Sequence, residues 1–103
     1  YIPPVYEKWG GQDLLDGKRI VRPRESLEWT RRLTEIGVFA GISAGAALAG
    51  AVRTAEKIGD ADPEAEATIV FIVCDGGWKY LSTGAWTDDL DEVTERAKKI
   101  IYF

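Results

Sequence analysis

Histidine and methionine are both absent from this 103-residue sequence, and cysteine occurs once, at Cys74. Without histidine the chain lacks the commonest general base and metal ligand at neutral pH. One thiol and no imidazole leave too few ligands for a structural zinc site. A single cysteine forbids an internal disulfide, which fits a reducing, cytoplasmic setting. Apolar runs such as Thr68–Cys74 stop at seven residues, far short of the roughly 20 that span a bilayer as a helix. Basic charge is also in deficit. Thirteen Lys and Arg against 17 Asp and Glu give a net charge of −4, which argues against nucleic acid or a membrane surface as partner. With no methionine and Tyr1 in first place, the sequence is expected to be a piece of a longer protein.

What is present suffices for one small domain: the residues are 46% apolar and 29% charged, the balance of a globular chain with a core. Residues 1–18 read as irregular, because Pro3-Pro4 is incompatible with a helix interior and Gly10-Gly11 and Asp16-Gly17 mark turns. Arg19–Arg22 is a short strand candidate closed by Pro23. A helix is expected from about Arg24–Ser26 to Ile36, with Leu27, Trp29, Leu33 and Ile36 at helical spacing, Ser26 or the preceding turn as cap, and Gly37 ending it. Val38–Ile42 reads as a strand and Ala44–Ile58 as a second helix rich in small residues. Leu48, Val52, Ala55 and Ile58 form its apolar stripe, and Gly59 stops it. Asp60–Ala67 is acidic, contains Pro63 and reads as an exposed loop.

Thr68–Cys74 is a continuous β-branched and aromatic run, the pattern of a strand buried on both faces, with Cys74 as a small core residue. A last helix is expected over Asp88–Ile101, with Leu90, Val93, Ala97 and Ile100 inward. Acids at its start and Lys98-Lys99 at its end complement the helix dipole. Strands alternating with helices predict an α/β fold: a layered three-layer α/β/α segment with a short, mostly parallel sheet.

Two segments are placed to carry chemistry. Gly41-Ile42-Ser43-Ala44-Gly45 matches G-x-S-x-G between a strand and a helix, the setting of a hydrolase nucleophile elbow. That chemistry needs a base to take the serine proton, and the usual histidine is missing. Two further readings stand: a helix cap, the commoner role for such a serine, or a hydroxyl presented to a ligand between glycines that allow close approach. The second segment, Asp75–Gly84, follows the end of the Thr68–Cys74 run, the edge at which open α/β sheets bind ligands. Asp75 there reads as a base, an orienting group or a turn cap, and Lys79 as a surface or interdomain ion-pair partner.

The stretch Gly37-Val-Phe-Ala-Gly-Ile-Ser-Ala-Gly-Ala-Ala resembles the glycine-serine segment of cysteine synthases and cystathionine β-synthases, the fold-type II pyridoxal-phosphate enzymes. About thirty residues later, Asp75-Gly-Gly-Trp-Lys-Tyr-Leu-Ser-Thr83 is similar to the next block of that family, in a form like the branch that uses O-phosphoserine. The resemblance spans nearly the whole chain and implies that residues 1–103 are the C-terminal segment of the large domain. It implies pyridoxal 5'-phosphate as cofactor and β-replacement on an activated serine, O-phosphoserine or O-acetylserine, by a sulfur donor to give cysteine. It also implies assembly with the rest of the same enzyme, a homodimer in the parent. By the same resemblance Ser43 bonds the pyridine nitrogen, and Asp75 and Gly76 lie near the ring.

The departures are as informative. No lysine here sits in the motif of the family's Schiff-base lysine, and the asparagine loop for substrate and the Gly-Thr loop for the cofactor phosphate are absent. No catalytic residue is therefore assigned, no metal is implied, and the isolated chain is expected to be inactive. The terminal Ile100-Ile-Tyr-Phe103 is expected to pack on the missing body. The competing reading is a non-catalytic α/β domain of the same descent that binds a partner.

Overall fold

A computed structural model describes residues 3–100, with the backbone alone at 99 and 100. The order is α1 (Pro4–Lys8), a 3-10 turn (Gly11–Leu14), α2 (Pro23–Glu35), α3 (Ile42–Ala61), a second 3-10 segment (Gly77–Thr83) and α4 (Leu90–Ile100). The sequence forms these helices for identifiable reasons. Pro4 and Pro23 each open a helix at a position where the missing N–H is no loss. The helix expected to begin near Arg24–Ser26 therefore starts at Pro23. Gly37, with φ of 95°, closes α2: its N–H bonds the Thr34 carbonyl while the Val38 N–H reaches back to Leu33, a Schellman ending. Asp89 begins α4, its Oδ1 accepting from the N–H groups of Asp91 and Glu92.

The expected α/β/α layering is not what forms. Among the described residues there is no strand and no sheet; the one β feature is an isolated antiparallel bridge between Ala40 and Gly76. Residues 19–22 and 68–74 are extended or irregular and unpaired. A run such as Thr68–Cys74 becomes a sheet strand only when neighbours satisfy its N–H and C=O groups and helices cover both faces, and the described residues supply neither. Val70 is 85% exposed and Ile72 73%. Cys74, expected in the core, is exposed. Residues 1–18 are also less irregular than their prolines and glycines suggest, since α1 and the following turn occupy much of them. The tail 101–103 lies outside the described residues.

The core is helical. Leu27, Ile42, Ala85, Val93 and Ala97 form one buried cluster, flanked by Tyr80, Trp86 and Leu90. Leu33, Ala40 and Ala44 form a second, flanked by Leu48 and Phe71. Burying a side chain such as Leu27 contributes about 1.5–3 kcal/mol. α3 packs on α2 at Ile42 and Gly45, with Ala49 also buried, while of the stripe expected from hydropathy Leu48 flanks the Leu33 cluster and Ala55 is exposed. The helix also continues past Gly59 to Ala61. The approach is close enough for the Ser26 hydroxyl to donate to the Ile42 carbonyl at 3.0 Å. Ser26 thus bonds across the helix pair, and its expected role as a cap does not arise. Arg31 fastens α2 to the loop before α4, its guanidinium donating to the carbonyls of Ala85 and Asp88 at 2.5 Å each.

Candidate functional site

The site residues expected from sequence lie on two turns that the fold brings together. Ser43 is the second residue of α3; Asp75 and Gly76 precede the Gly77–Thr83 segment. Two backbone hydrogen bonds join the turns: Gly41 N–H to the Asp75 carbonyl at 3.1 Å, and Gly77 N–H to the Phe39 carbonyl at 3.1 Å. Between them lies the Ala40–Gly76 bridge. The single β contact among the described residues is therefore the joint of the site.

Glycines make the joint possible by lacking a Cβ. Gly41 has an extended backbone, φ −78° and ψ 177°, so space decides its identity. A Cβ there would lie 2.0 Å from Asp75 Oδ1 and 2.7 Å from the Tyr80 ring. At Gly77 a Cβ would fall 2.7 Å from the Phe39 ring and 2.9 Å from Trp86. Those two rings pack with centroids 4.9 Å apart, and Trp86 Nε1 donates to Thr34 Oγ1 at 2.8 Å, which fixes the joint onto α2.

Ser43 is exposed, and the N-terminus of α3 has no side-chain cap; Gly41 occupies the cap position. The cap reading of Ser43 therefore fails, and its hydroxyl stands at the positive end of a 20-residue helix. Asp75 is mostly buried. Its Oδ2 accepts from the Tyr80 hydroxyl at 2.8 Å, and Lys79 Nζ stands 3.9 Å from the same oxygen, the ion pair expected of that lysine. Asp75 Oδ1 is buried with no hydrogen-bond partner among the described residues. Such an oxygen carries a desolvation cost that a donor would offset.

Tyr80 was not singled out in the sequence. Its only signal is the spacing that returns it to Asp75 over one turn. The hydrogen bond to Asp75, followed by burial, pushes its phenol above the ordinary 10.0. The folded state thus holds this proton more tightly than the unfolded chain. The stabilisation is fully present below about pH 10 and is lost as pH rises through the elevated folded value. In the full-length protein, the melting temperature of wild type is expected to exceed that of Tyr80→Phe at pH 8, with the difference shrinking above pH 10. A difference independent of pH from 8 to 11 would contradict this assignment.

With the geometry in place, comparison with known proteins is decisive about descent. The chain is 34% identical over 90 residues to cysteine synthase B of Escherichia coli strain K12, 86% of this chain and 26% of that protein. It is 45% identical over 90 residues to cysteine synthase B of Salmonella typhimurium strain LT2, with the same coverage. Against cysteine synthase B of Pseudomonas aeruginosa PAO1 the identity is 31% over 87 residues, 84% of this chain and 26% of that protein. It shares ancestry with cysteine synthases. The chain spans about a quarter of the length of the curated relatives it matches. No family model and no solved structure matches it. The described residues hold no cluster of His, Cys, Asp and Glu able to bind a metal, and no described helix is long and apolar enough to cross a membrane.

Proposed function

We propose that this segment forms the pyridine-facing wall of a pyridoxal-phosphate site in a cysteine synthase, the parent protein acting on an activated serine and a sulfur donor. The observation that carries the reading is the joint itself: it brings the turn that leads into the exposed Ser43 against Asp75, whose buried Oδ1 has no donor among the described residues. Those residues fit the cofactor's ring end, where Ser43 would hold the pyridine nitrogen by a hydrogen bond and Asp75 and Gly76 would border the ring. When bound, pyridoxal phosphate supplies the electron sink for elimination at the β-carbon of the amino acid. Ser43, a neutral hydroxyl, leaves the ring nitrogen free to stay unprotonated, unlike a carboxylate at the same place. The helix N-terminus behind it adds a fixed positive potential.

The remaining functions belong to the rest of the parent. Lys79 is engaged by Asp75 and stands 5.8 Å from the Trp78 ring centroid, which disfavours it as the covalent anchor. The exposed apolar run Val70, Ile72 and Val73 suits a surface covered by another polypeptide, either the remainder of the enzyme or the partner of a non-catalytic module. Cofactor binding separates these two readings. A hydrolase built on Ser43 has no support, since the sequence holds no histidine to serve as its base.

In the full-length protein, Ser43→Ala is expected to slow β-elimination by about tenfold, the scale of one lost hydrogen bond, and to shift the absorbance of the bound cofactor. An unchanged rate and spectrum would remove Ser43 from the role.

A further inference from the structure

We infer that Tyr80 is the positioning residue of this site, holding the Ser43-bearing turn in register through the Asp75 carboxylate. What that register serves rests on the cofactor reading above; the positioning itself does not.

Asp75 touches the neighbouring turn twice. Its main-chain carbonyl receives the Gly41 N–H, and its Oδ1 lies against the Cα of Gly41, where a Cβ would come within 2.0 Å. Gly41 is the N-cap of α3, two residues before Ser43. The orientation of one carboxylate therefore decides how closely the two turns approach. A carboxylate with a buried, unpartnered Oδ1 would turn toward water if nothing held it, because desolvation without a donor is unfavourable. The restraint is at the other oxygen: the Tyr80 hydroxyl donates to Oδ2 at 2.8 Å, a charge-assisted bond of the stronger kind. Lys79 at 3.9 Å is half exposed and a weak substitute. Tyr80 is itself anchored, since its ring packs against the Leu27–Ile42–Val93 cluster. Core packing thus reaches the site along one line: cluster, Tyr80 ring, Tyr80 hydroxyl, Asp75 carboxylate, Gly41, Ser43.

Hydrogen exchange of the full-length protein, read by mass spectrometry without cofactor, tests the line directly. Tyr80→Phe keeps the ring and removes only the hydroxyl. The peptide covering residues 38–44 is expected to exchange about tenfold faster, a local opening with α4 unaffected. In an Asp75→Ala background, adding Tyr80→Phe should change that peptide no further, because the two residues act through one bond. Unchanged exchange at 38–44 would overturn the inference, as would a rise shared equally by α4 or an independent further increase in the double variant. Because no cofactor is present, these results stand apart from the Ser43→Ala outcome.

Discussion

Gly45→Ala is expected to destabilise the fold by about 1–3 kcal/mol, the usual cost of forcing one methyl group into a close-packed contact. The added Cβ would lie 2.1 Å from Thr30 Oγ1, 2.2 Å from the Ser26 carbonyl oxygen and 2.8 Å from the Thr30 nitrogen. Two of these are backbone atoms of α2, which cannot rotate aside. Relief requires α2 and α3 to separate, and separation weakens the Ser26 hydroxyl's bond to the Ile42 carbonyl. It also disturbs a polar pair already compacted inside the interface, where Thr30 Oγ1 donates to the Ser26 carbonyl at 2.8 Å. Thermal unfolding of the full-length protein followed by circular dichroism measures the loss. Gly50→Ala is the internal control. Nothing lies within 4 Å of its added Cβ, so replacing a mid-helix glycine should be neutral or stabilising by about 0.5–1 kcal/mol. An equal gain in both variants would show that helix propensity, and not contact, governs the site.

That contact explains where sequence reading succeeded and where it failed. Helix punctuation was legible because it is local: Gly37 ends α2 through its own positive φ, and Leu90, Val93 and Ala97 face inward by spacing alone. The buried face of α3 was not, because hydropathy selects the largest residues, Leu48, Val52 and Ile58, whereas the closest packing falls on Ile42, Gly45 and Ala49. The sheet failed for the opposite reason. Thr68–Cys74 has the composition of a buried strand, but composition encodes only a preference; the pairing partners must come from elsewhere in space. The choice of Ser43, Asp75 and Gly76 as candidate site residues followed from motif and from likeness to a known family. Their joint did not, because nothing in a sequence states that Gly41 is glycine to admit a carboxylate thirty-four residues away. Tyr80 was missed for the same reason: a tyrosine in a loop carries no mark of the acid to which it donates.

Gly41→Ala should therefore be the most damaging single change at the site. Because φ is −78°, alanine suffers no backbone strain there, and the whole effect comes from the clash with Asp75 Oδ1 at 2.0 Å and the Tyr80 ring at 2.7 Å. The ring is held by the core cluster, so the carboxylate must leave. Its departure breaks the Tyr80 bond and widens the gap spanned by the Gly41 N–H to Asp75 carbonyl bond. Losing two hydrogen bonds, one of them to a charged group, corresponds to about 2–4 kcal/mol. Both bonds are made without cofactor, so their loss lowers the stability of the cofactor-free protein; on the proposed reading it also carries Ser43 out of place while α2 and α4 keep their packing. Binding of pyridoxal phosphate to the full-length variant, titrated by absorbance, should weaken by about tenfold or more, the scale of the lost Ser43 hydrogen bond, and the melting temperature of the cofactor-free protein should fall by an amount comparable to that in Gly45→Ala. Undiminished cofactor affinity would mean that the joint between the two turns is not part of the binding site, whatever its role in the fold.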